Sequence, residues 1–202
     1  MKKKRIRILA AGDIHGSEVI AENLAKKAEK YKVDFVILTG DIFNPLKKER
    51  VISPFKKRNL EVLFIPGNWD TDLDVKFLKE QYKLKSLDGY YFRKDNVDFI
   101  GIGSSNFKMD HTEKDFKKIK NLFEVIKSHD NKRVLVSHLH PMGSVAEFSG
   151  IRGSYFLRKL IDEIKPDIAI SSHIHEAEGL EQKMGKTKFF VVGKKGKIID
   201  IE

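Results

Sequence analysis

The sequence contains no cysteine among its 202 residues. Disulfide bonds, iron–sulfur clusters and zinc sites with cysteine ligands are therefore excluded. Any metal site in this chain has to use histidine, aspartate, glutamate, asparagine or backbone oxygen. Glutamine is almost as scarce, since it occurs only at Gln81 and Gln182. A composition that is rich in lysine and glutamate but poor in cysteine and glutamine is typical of heat-adapted proteins and predicts a thermophilic one.

Long apolar runs are also missing, because no stretch approaches the roughly 18 residues that a membrane-spanning helix needs. The first residues, MKKKRIRILAAGD, have a basic head and a short apolar run, as a signal peptide does. The run ends in a charged residue without a cleavable small-residue site, so we predict a first β-strand here instead. We therefore expect a cytoplasmic protein without a membrane partner.

The charge of the chain is strongly basic, with 39 lysines and arginines against 29 aspartates and glutamates, a net charge of +10. Such a surplus can indicate a nucleic-acid partner. The lysines are spread along the whole chain and many stand beside glutamates, which favours an ordinary charged surface. A nucleic-acid partner therefore remains an alternative and is not the favoured interpretation.

Apolar, β-branched runs alternate with amphipathic helical patterns in the first part of the chain, which predicts a parallel sheet built from strand–helix–strand units. Four helices are predicted, with Ser17, Asp72, Thr112 and Ser154 as their capping residues. The predicted strands are Ile6–Ala10, Val33–Leu38, Glu61–Ile65, Val97–Ile102, Arg133–Val136, Asp167–Ile170, Lys188–Val192 and Lys197–Ile201.

Two antiparallel hairpins are predicted besides the parallel strands. The first joins YYFRK to VDFIGIG through an Asp-Asn turn, and the second joins KTKFFVVG to GKIIDIE around residues 194–196. Both sheets would then be mixed. The fold class predicted is α/β with mixed α+β character, in which two mixed sheets pack as a sandwich flanked by helices. We expect residues 1–202 to form a single domain.

Five predicted strands end in residues that can bind metals. The segments read ILAAGDIHG, VILTGDIFN, LFIPGNWD, VLVSHLHP and IAISSHIHE. Ligands of α/β sheets bind beyond the carboxyl ends of the strands, so these five ends can converge on one patch. The residues of this patch would be Asp13, His15, Asp41, Asn68, His138, His173 and His175.

Each of these residues alone has an ordinary structural explanation, because aspartate and asparagine after a strand commonly form turns. The combination is more specific, since four of the seven histidines fall just after strands. Seven ligands exceed what one catalytic transition metal takes from a protein, so two ions that share a carboxylate fit better. Imidazole and carboxylate together suit manganese, iron, cobalt, nickel or zinc, with manganese the first expectation.

The series D-x-H, GD, GN, H and H-x-H, in this order across the chain, resembles the calcineurin-like metallophosphoesterase family. The later stretch GIRGSYFLRKLIDEIKPDIAISSHIHEAEG is similar to the small archaeal and bacterial phosphoesterases of that family. The resemblance implies a sandwich of two mixed sheets flanked by helices and a centre of two divalent metal ions. Its implied roles are a first metal site of Asp13, His15 and His175, a second of Asn68, His138 and His173, and a bridge between them at Asp41.

The implied activity is hydrolysis of a P–O bond in a small phosphoester by a metal-bridging hydroxide. A phosphodiesterase is favoured over a protein phosphatase, because GDIFN lacks the arginine of the GDxxDRG motif and neither Lys47 nor Lys48 matches it. Many family members also have histidine after the asparagine ligand, where this chain has Trp69. An indole cannot supply a proton at neutral pH. His140 is a candidate replacement acid, although it can equally be an exposed loop residue.

Two alternatives of other kinds stay open. A weakly active or inactive scaffold with this fold is one, favoured by the missing histidine and opposed by the retained ligand set. A nucleic-acid-processing nuclease is the other, favoured by the charge alone. Trp69 itself has two interpretations, as a wall or stacking surface of the pocket or as a packing residue turned away from it. The oligomeric state is open as well.

Overall fold

The computed structural model of the chain describes residues 5–44, 50–126 and 131–202. Lys47 and Lys48 lie outside this part. The helices are α1 (Glu18–Lys30), α2 (Ser53–Lys57), α3 (Asp72–Gln81), α4 (Glu113–Ile126) and α5 (Tyr155–Ile164). The strands are β1 (Ile6–Ala11), β2 (Phe35–Leu38), β3 (Val62–Phe64), β4 (Lys85–Ser86), β5 (Tyr91–Lys94), β6 (Val97–Ile102), β7 (Lys132–Ser137), β8 (Ile168–Ser171), β9 (Glu181–Met184), β10 (Thr187–Val191) and β11 (Lys197–Ile201).

The strands form two mixed sheets, as predicted. One has the order β11-β1-β2-β3-β4, and the other has the order β5-β6-β7-β8-β10-β9. Alternate residues of a strand point to opposite faces of a sheet. One set of side chains therefore packs between the two sheets, and the other packs against the helices on the outer face. In β1, Ile8 and Ala10 pack between the two sheets with Phe99 of β6, whereas Leu9 packs with Leu24 of α1 on the outer face.

The helices cover both outer faces, so the four layers of the predicted fold class are confirmed. Residues from α1, α2 and α3 share a core cluster with the first sheet. The apolar stripes of α4 and α5 cover the second sheet. The helical spacing in the sequence predicts the stripe of α4 as Phe116, Ile119, Phe123 and Ile126, and all four are buried. In the described part of the chain, no helix is both long enough and apolar enough to cross a membrane.

The second predicted hairpin is wrong. β10 pairs in parallel with β8 and antiparallel with β9, while β11 pairs antiparallel with β1 in the other sheet. Both edges of β10 are therefore occupied and none is left for β11. The chain turns at Gly193–Gly196 and crosses from one sheet to the other. The first predicted hairpin, between β5 and β6, is confirmed by their antiparallel register.

The start of α3 and the buried face of α1 also differ from the predictions. α3 is capped by Thr71, which forms a reciprocal capping box with Asp74, and the predicted cap Asp72 is its first residue. In α1 the helical spacing of apolar residues predicts a buried face of Val19, Ile20, Leu24, Ala28 and Tyr31, but Val19 and Tyr31 are exposed. Alanines at positions 21, 25 and 28 take that face with Leu24, because small side chains let the helix lie close to the sheet. The predicted caps Ser17 and Ser154 are confirmed.

One buried histidine makes the stability of the fold depend on pH. His111 is buried at the start of α4 and its Nδ1 lies 3.0 Å from the hydroxyl of Ser154. Burial, reinforced by the charge of Lys108, lowers the pKa of His111 from 6.5 to about 4. The unfolded chain therefore binds this proton first as the pH falls.

We expect the free energy of unfolding to fall as the pH drops from about 6.5 to 4, with His111 contributing about 3 kcal/mol of that loss. The stabilising contribution of His111 is fully present above the pKa of His111 in the unfolded chain, 6.5. It disappears as the pH falls towards the pKa in the folded protein, about 4. This loss is measured by denaturant unfolding at pH 7 and at pH 4.5. The chelator-treated wild-type protein is compared with chelator-treated His111→Phe. If both proteins lose the same stability between these pH values, His111 does not carry the effect.

Candidate metal centre

The seven predicted ligands lie at the carboxyl ends of strands from both sheets. β1, β2 and β3 run parallel and end before Asp13, Asp41 and Asn68. β7 and β8 run parallel in the second sheet and end before His138 and His173. The two sets of ends meet across the sandwich, because the Nδ1 of His138 lies 2.9 Å from the backbone oxygen of Thr39.

Four of the seven residues have a backbone conformation that side chains rarely adopt. The φ angles of Asp13, His15, Asp41 and His173 are 56°, 46°, 51° and 73°. The left-handed region is uncommon for residues other than glycine, and such strain persists where the surrounding structure fixes it, often at functional sites. The four lie on three separate loops that converge, so the unfavourable backbone here is not the property of one turn, although residues outside the patch such as Lys32 and Lys83 share it.

The first group of possible ligands consists of Asp13, His15 and His175, whose ligand atoms all lie within 4.8 Å of one another. The Nε2 atoms of the two histidines are 3.4 Å apart, and the Nε2 of His175 lies 3.7 Å from a carboxylate oxygen of Asp13. This is the set that the resemblance implied for a first metal.

The second group consists of Asp13, Asp41 and His138. The Oδ2 of Asp41 lies 3.5 Å from the Nε2 of His138 and 3.8 Å from the Nε2 of His15. Asp41 therefore faces ligands of both groups, as a bridging carboxylate has to. The Oδ1 of Asn68 is 2.9 Å from the Nε2 of His138. His173 lies next to them, with its ring centroid 5.1 Å from that of His138.

Two features of this patch fit a bound cation. Asp13 is buried, and neither of its carboxylate oxygens has a hydrogen-bond partner among the described residues. The Nε2 of His175, 3.7 Å away, lies beyond hydrogen-bond distance. A buried carboxylate without hydrogen bonds is strongly unfavourable unless a cation balances it. The Nδ1 of His138 donates to the Thr39 carbonyl, so its Nε2 is an acceptor that faces the Asn68 oxygen, a second acceptor. Two acceptors that face each other repel. A cation bound by both the Nε2 of His138 and the Oδ1 of Asn68 would remove this repulsion.

The pKa values of the site are consistent with that interpretation. Burial, with a further contribution from the charge of Asp13, raises the pKa of Asp41 to about 6. Burial also lowers the pKa of His173 to about 4, which keeps its imidazole neutral and able to bind a metal. The side chain of Asp13, in contrast, raises the pKa of His175. A divalent ion would hold Asp41 ionised and would replace the proton on His175, because a metal binds only the neutral imidazole.

The loop between β3 and α3 holds Asp41 in place. The backbone N–H of Trp69 donates to Asp41 Oδ1 over 2.9 Å. Gly67 lies so close that an added Cβ would stand 2.1 Å from the same oxygen and 2.3 Å from the Asp41 nitrogen. Only glycine fits at this point, so the Pro-Gly turn is needed for the two loops to pack against each other.

Asp70 connects two loops of the candidate site, a role that the sequence did not predict. Its buried carboxylate accepts backbone N–H groups of Ile42, Phe43 and Gly67 at 2.8 to 3.3 Å. It thereby ties the loop that carries Asp41 to the loop that carries Asn68. The preference of aspartate for turns offered no sign of these contacts, because two of the three partners lie almost 30 residues away.

For both Trp69 and His140 the structure excludes one of the two alternatives that the sequence left open. The indole of Trp69 is half-exposed at the rim, with its ring centroid 6.3 Å from that of His15, so it is not a packing residue turned away from the site. His140 is buried and is not an exposed loop residue. Its Nε2 donates to the Ile151 carbonyl over 3.1 Å, and its ring stacks on His173 at 6.2 Å.

Comparisons with known proteins agree with this geometry at the level of fold and family. No curated protein matches the chain. Its structure is similar to that of TT1561 of Thermus thermophilus, at 15% identity and a TM-score of 0.74, over 95% of this chain and 91% of that one. It is also similar to a dimetal phosphatase from Danio rerio, at 12% identity and a TM-score of 0.69, over 94% and 88%.

A third similar structure is GAP50, named as the anchor in the inner membrane complex of Plasmodium, at 18% identity and a TM-score of 0.64, over 94% of this chain and 71% of that one. Identities this low show a shared fold alone. The family is shown by a sequence model described as calcineurin-like phosphoesterase, which matches residues 6–177. The chain therefore belongs to the calcineurin-like phosphoesterase family.

Proposed function

We propose that this protein is a phosphoesterase that binds two divalent metal ions and hydrolyses a P–O bond of a small phosphoester, with a diester as the favoured substrate. The single observation that carries the proposal is the position of Asp41. Its Oδ2 faces His138 at 3.5 Å and His15 at 3.8 Å, so one carboxylate can serve two ions. Asp13, His15 and His175 would hold one ion, and Asn68, His138 and His173 the other.

Two such ions, when bound, activate a water molecule at neutral pH, polarise a phosphoryl oxygen and stabilise charge in an in-line displacement. The residues of the chain hold this arrangement in place. Thr39 fixes the tautomer of His138 by accepting its Nδ1–H, and the hydroxyl of Ser172 donates to the same carbonyl. The Trp69 N–H fixes the orientation of the Asp41 carboxylate.

The surroundings of the site favour substrates that need little help from a proton donor. Trp69 stands where many relatives have histidine, and its N–H cannot titrate near neutral pH. His140 stays the candidate acid, but its Nε2 is engaged with the Ile151 carbonyl, and burial lowers its pKa, which disfavours the protonated form. Positioning the His173 ring, on which it stacks, is the role that these contacts favour.

The test is reconstitution of chelator-treated protein with Mn²⁺. We expect titration calorimetry to give two bound ions per chain, and the loaded protein to hydrolyse bis-p-nitrophenyl phosphate while the metal-free protein does not. Iron, cobalt, nickel and zinc are the next ions to compare. Binding of two ions without turnover of any simple aryl phosphodiester would contradict the proposal.

A scaffold is the second candidate, and the absence of histidine at position 69 is the observation that favours it. The similarity to GAP50, which is named as an anchor, shows that this fold also occurs in a protein with that designation. The buried carboxylate of Asp13 opposes this candidate, because neither of its oxygens has a hydrogen-bond partner among the described residues and a scaffold has no evident need for such a group. Nucleic-acid binding rests on the net charge alone, and an affinity that changes little with salt would exclude it.

A further inference from the structure

Two exposed aromatic rings stand side by side at the rim of the candidate metal centre. The indole of Trp69 is 46% exposed and the phenyl ring of Phe107 is 62% exposed. Their centroids are 5.9 Å apart at an interplanar angle of 68°, and Trp69 in turn meets the ring of His15 edge to face. We call Trp69 and Phe107 the aromatic ledge. It leads outward from a predicted metal ligand to solvent.

The backbone holds the aromatic ledge firmly. The N–H of Phe107 donates to the carbonyl of Asn68 over 2.7 Å, and the N–H of Asn106 donates to the carbonyl of Asp70 over 2.9 Å. The N–H of Ser104 donates to the carbonyl of Pro66 over 3.1 Å. The segment that carries Phe107 is therefore attached along its length to the loop that carries Asn68 and Trp69, so the backbones that carry the two rings are held next to each other beside the site.

The conformation of Phe107 is unfavourable for its residue type. Asn106 and Phe107 both have φ of 60°, in the left-handed region. Asparagine tolerates this region, but a bulky aromatic residue is a genuine outlier there. A ring that is mostly in water also contributes little to folding through burial. Neither backbone preference nor core packing therefore accounts for a phenylalanine here, whereas binding of a ligand does.

We propose that the aromatic ledge binds a flat ring of the substrate while the phosphoryl group lies at the metal centre. The inference rests on the proposed function and names its substrate class, which is phosphoesters that carry an aromatic group. Rigid aromatic side chains bind other rings by stacking, at low entropic cost and with little dependence on the exact ring. The ring can belong to an aryl group or to a nucleobase, and binding to the aromatic ledge is the same for both.

The chain provides its own probe, because Trp69 is its only tryptophan. Phenylphosphonate and methylphosphonate, which cannot be hydrolysed, are titrated into the Zn²⁺-loaded protein while tryptophan emission and calorimetric heat are recorded. We expect phenylphosphonate to bind about 10-fold more tightly than methylphosphonate and to change the emission of Trp69. In Phe107→Leu, which keeps an apolar side chain but removes the ring, we expect this preference to fall below about 3-fold, with methylphosphonate binding unchanged.

Tyr31→Ala is the matched control. Tyr31 is a similarly exposed aromatic residue, at 42%, but it follows the far end of α1. That helix begins just after His15 and its 13 residues span about 20 Å. This variant should keep the full preference for phenylphosphonate. Loss of the preference in Tyr31→Ala to the same degree as in Phe107→Leu would overturn the proposal.

The two sources of the ring are separated by a second pair of ligands, adenosine 5′-monophosphate and ribose 5-phosphate. A Phe107-dependent preference for the adenosine compound supports a nucleobase, and a preference confined to phenylphosphonate supports an aryl ester. If phenylphosphonate binds no more tightly than methylphosphonate, and adenosine 5′-monophosphate no more tightly than ribose 5-phosphate, the proposed role of the aromatic ledge is wrong. The proposed function is then still decided by the Mn²⁺ turnover test. Failure of all four ligands to bind the metal-loaded protein also overturns the aromatic ledge, and the proposed function is overturned with it only if bis-p-nitrophenyl phosphate is not hydrolysed either.

Discussion

Replacing Asp41 by asparagine is expected to abolish phosphoester hydrolysis. Asparagine keeps an oxygen for the Trp69 N–H, which donates to Asp41 Oδ1, so the loop geometry should survive. The carboxylate charge that faces both His15 and His138 is lost. Loss of a group that orients a metal ligand typically lowers metal affinity or activity about 10- to 100-fold, and loss of a shared ligand should exceed that. Calorimetry should give one bound ion or none.

The same substitution is expected to stabilise the metal-free protein. Burial raises the pKa of Asp41 from 3.8 to about 6. A carboxyl whose pKa is raised in the folded state is favourable at low pH, and its contribution is lost as the pH rises through about 6. At pH 8 the ionised Asp41 therefore destabilises the fold by about 3 kcal/mol, and Asp41→Asn should recover this in urea unfolding. Added metal should stabilise the wild-type protein much more than the variant.

Asp98→Asn is the matched control for both effects. Asp98 is also a buried aspartate, but it pairs with Arg93 at 2.6 Å at the antiparallel edge of the second sheet. We expect this variant to keep activity and metal binding while losing stability, which is the opposite sign to Asp41→Asn. If Asp41→Asn retains turnover, or if it unfolds more easily than the wild-type protein without metal, the assigned role of Asp41 is wrong.

The second large effect is expected for Asp70→Ala. The carboxylate of Asp70 accepts backbone N–H groups of Ile42, Phe43 and Gly67, and all of these bonds are buried. Truncation leaves buried donors without partners, each at about 1–3 kcal/mol. We expect the free energy of unfolding to fall by about 3–5 kcal/mol in urea, together with weaker metal binding, because the loops of Asp41 and Asn68 lose their connection.

Asp74→Ala is the control for Asp70→Ala, because it removes a second buried aspartate nearby, one that belongs to a helix cap. Asp74 lies four residues further on and accepts the N–H and hydroxyl of Thr71 in the capping box of α3. Loss of a helix cap typically destabilises by about 1 kcal/mol and should leave the metal centre intact. Equal losses of metal affinity in the two variants would show that Asp70 has no special connection to the site.

The candidate ligands could be predicted because the signal is short-range. A strand followed by aspartate, asparagine or histidine is visible in a few letters, and parallel strands bring their carboxyl ends to one edge. Asp13, Asp41 and His138 were found in this way, and the structure brings their ligand atoms within 4.8 Å. The stripes of α4 and α5 were equally clear, because the helical period is repeated over 14 and 10 residues.

The contacts between distant segments could not be predicted. The partner of β11 depends on which strand edges remain free after β8 and β9 have paired with β10, and no local pattern records that. The role of Asp70 depends on donors almost 30 residues away. The position of Phe107 beside Trp69 depends on backbone hydrogen bonds between two loops whose side chains give no sign of the pairing.

The sequence by itself therefore determined the two mixed sheets, the helices that cover them and the residue types available to a metal, because period and strand-end chemistry are local properties. Only the tertiary structure decided which sheet received the last strand, which aspartate tied the loops together and where the aromatic rings came to lie. Those outcomes depend on long-range pairing, since each backbone donor and each strand edge is satisfied by whichever segment the whole fold brings to it.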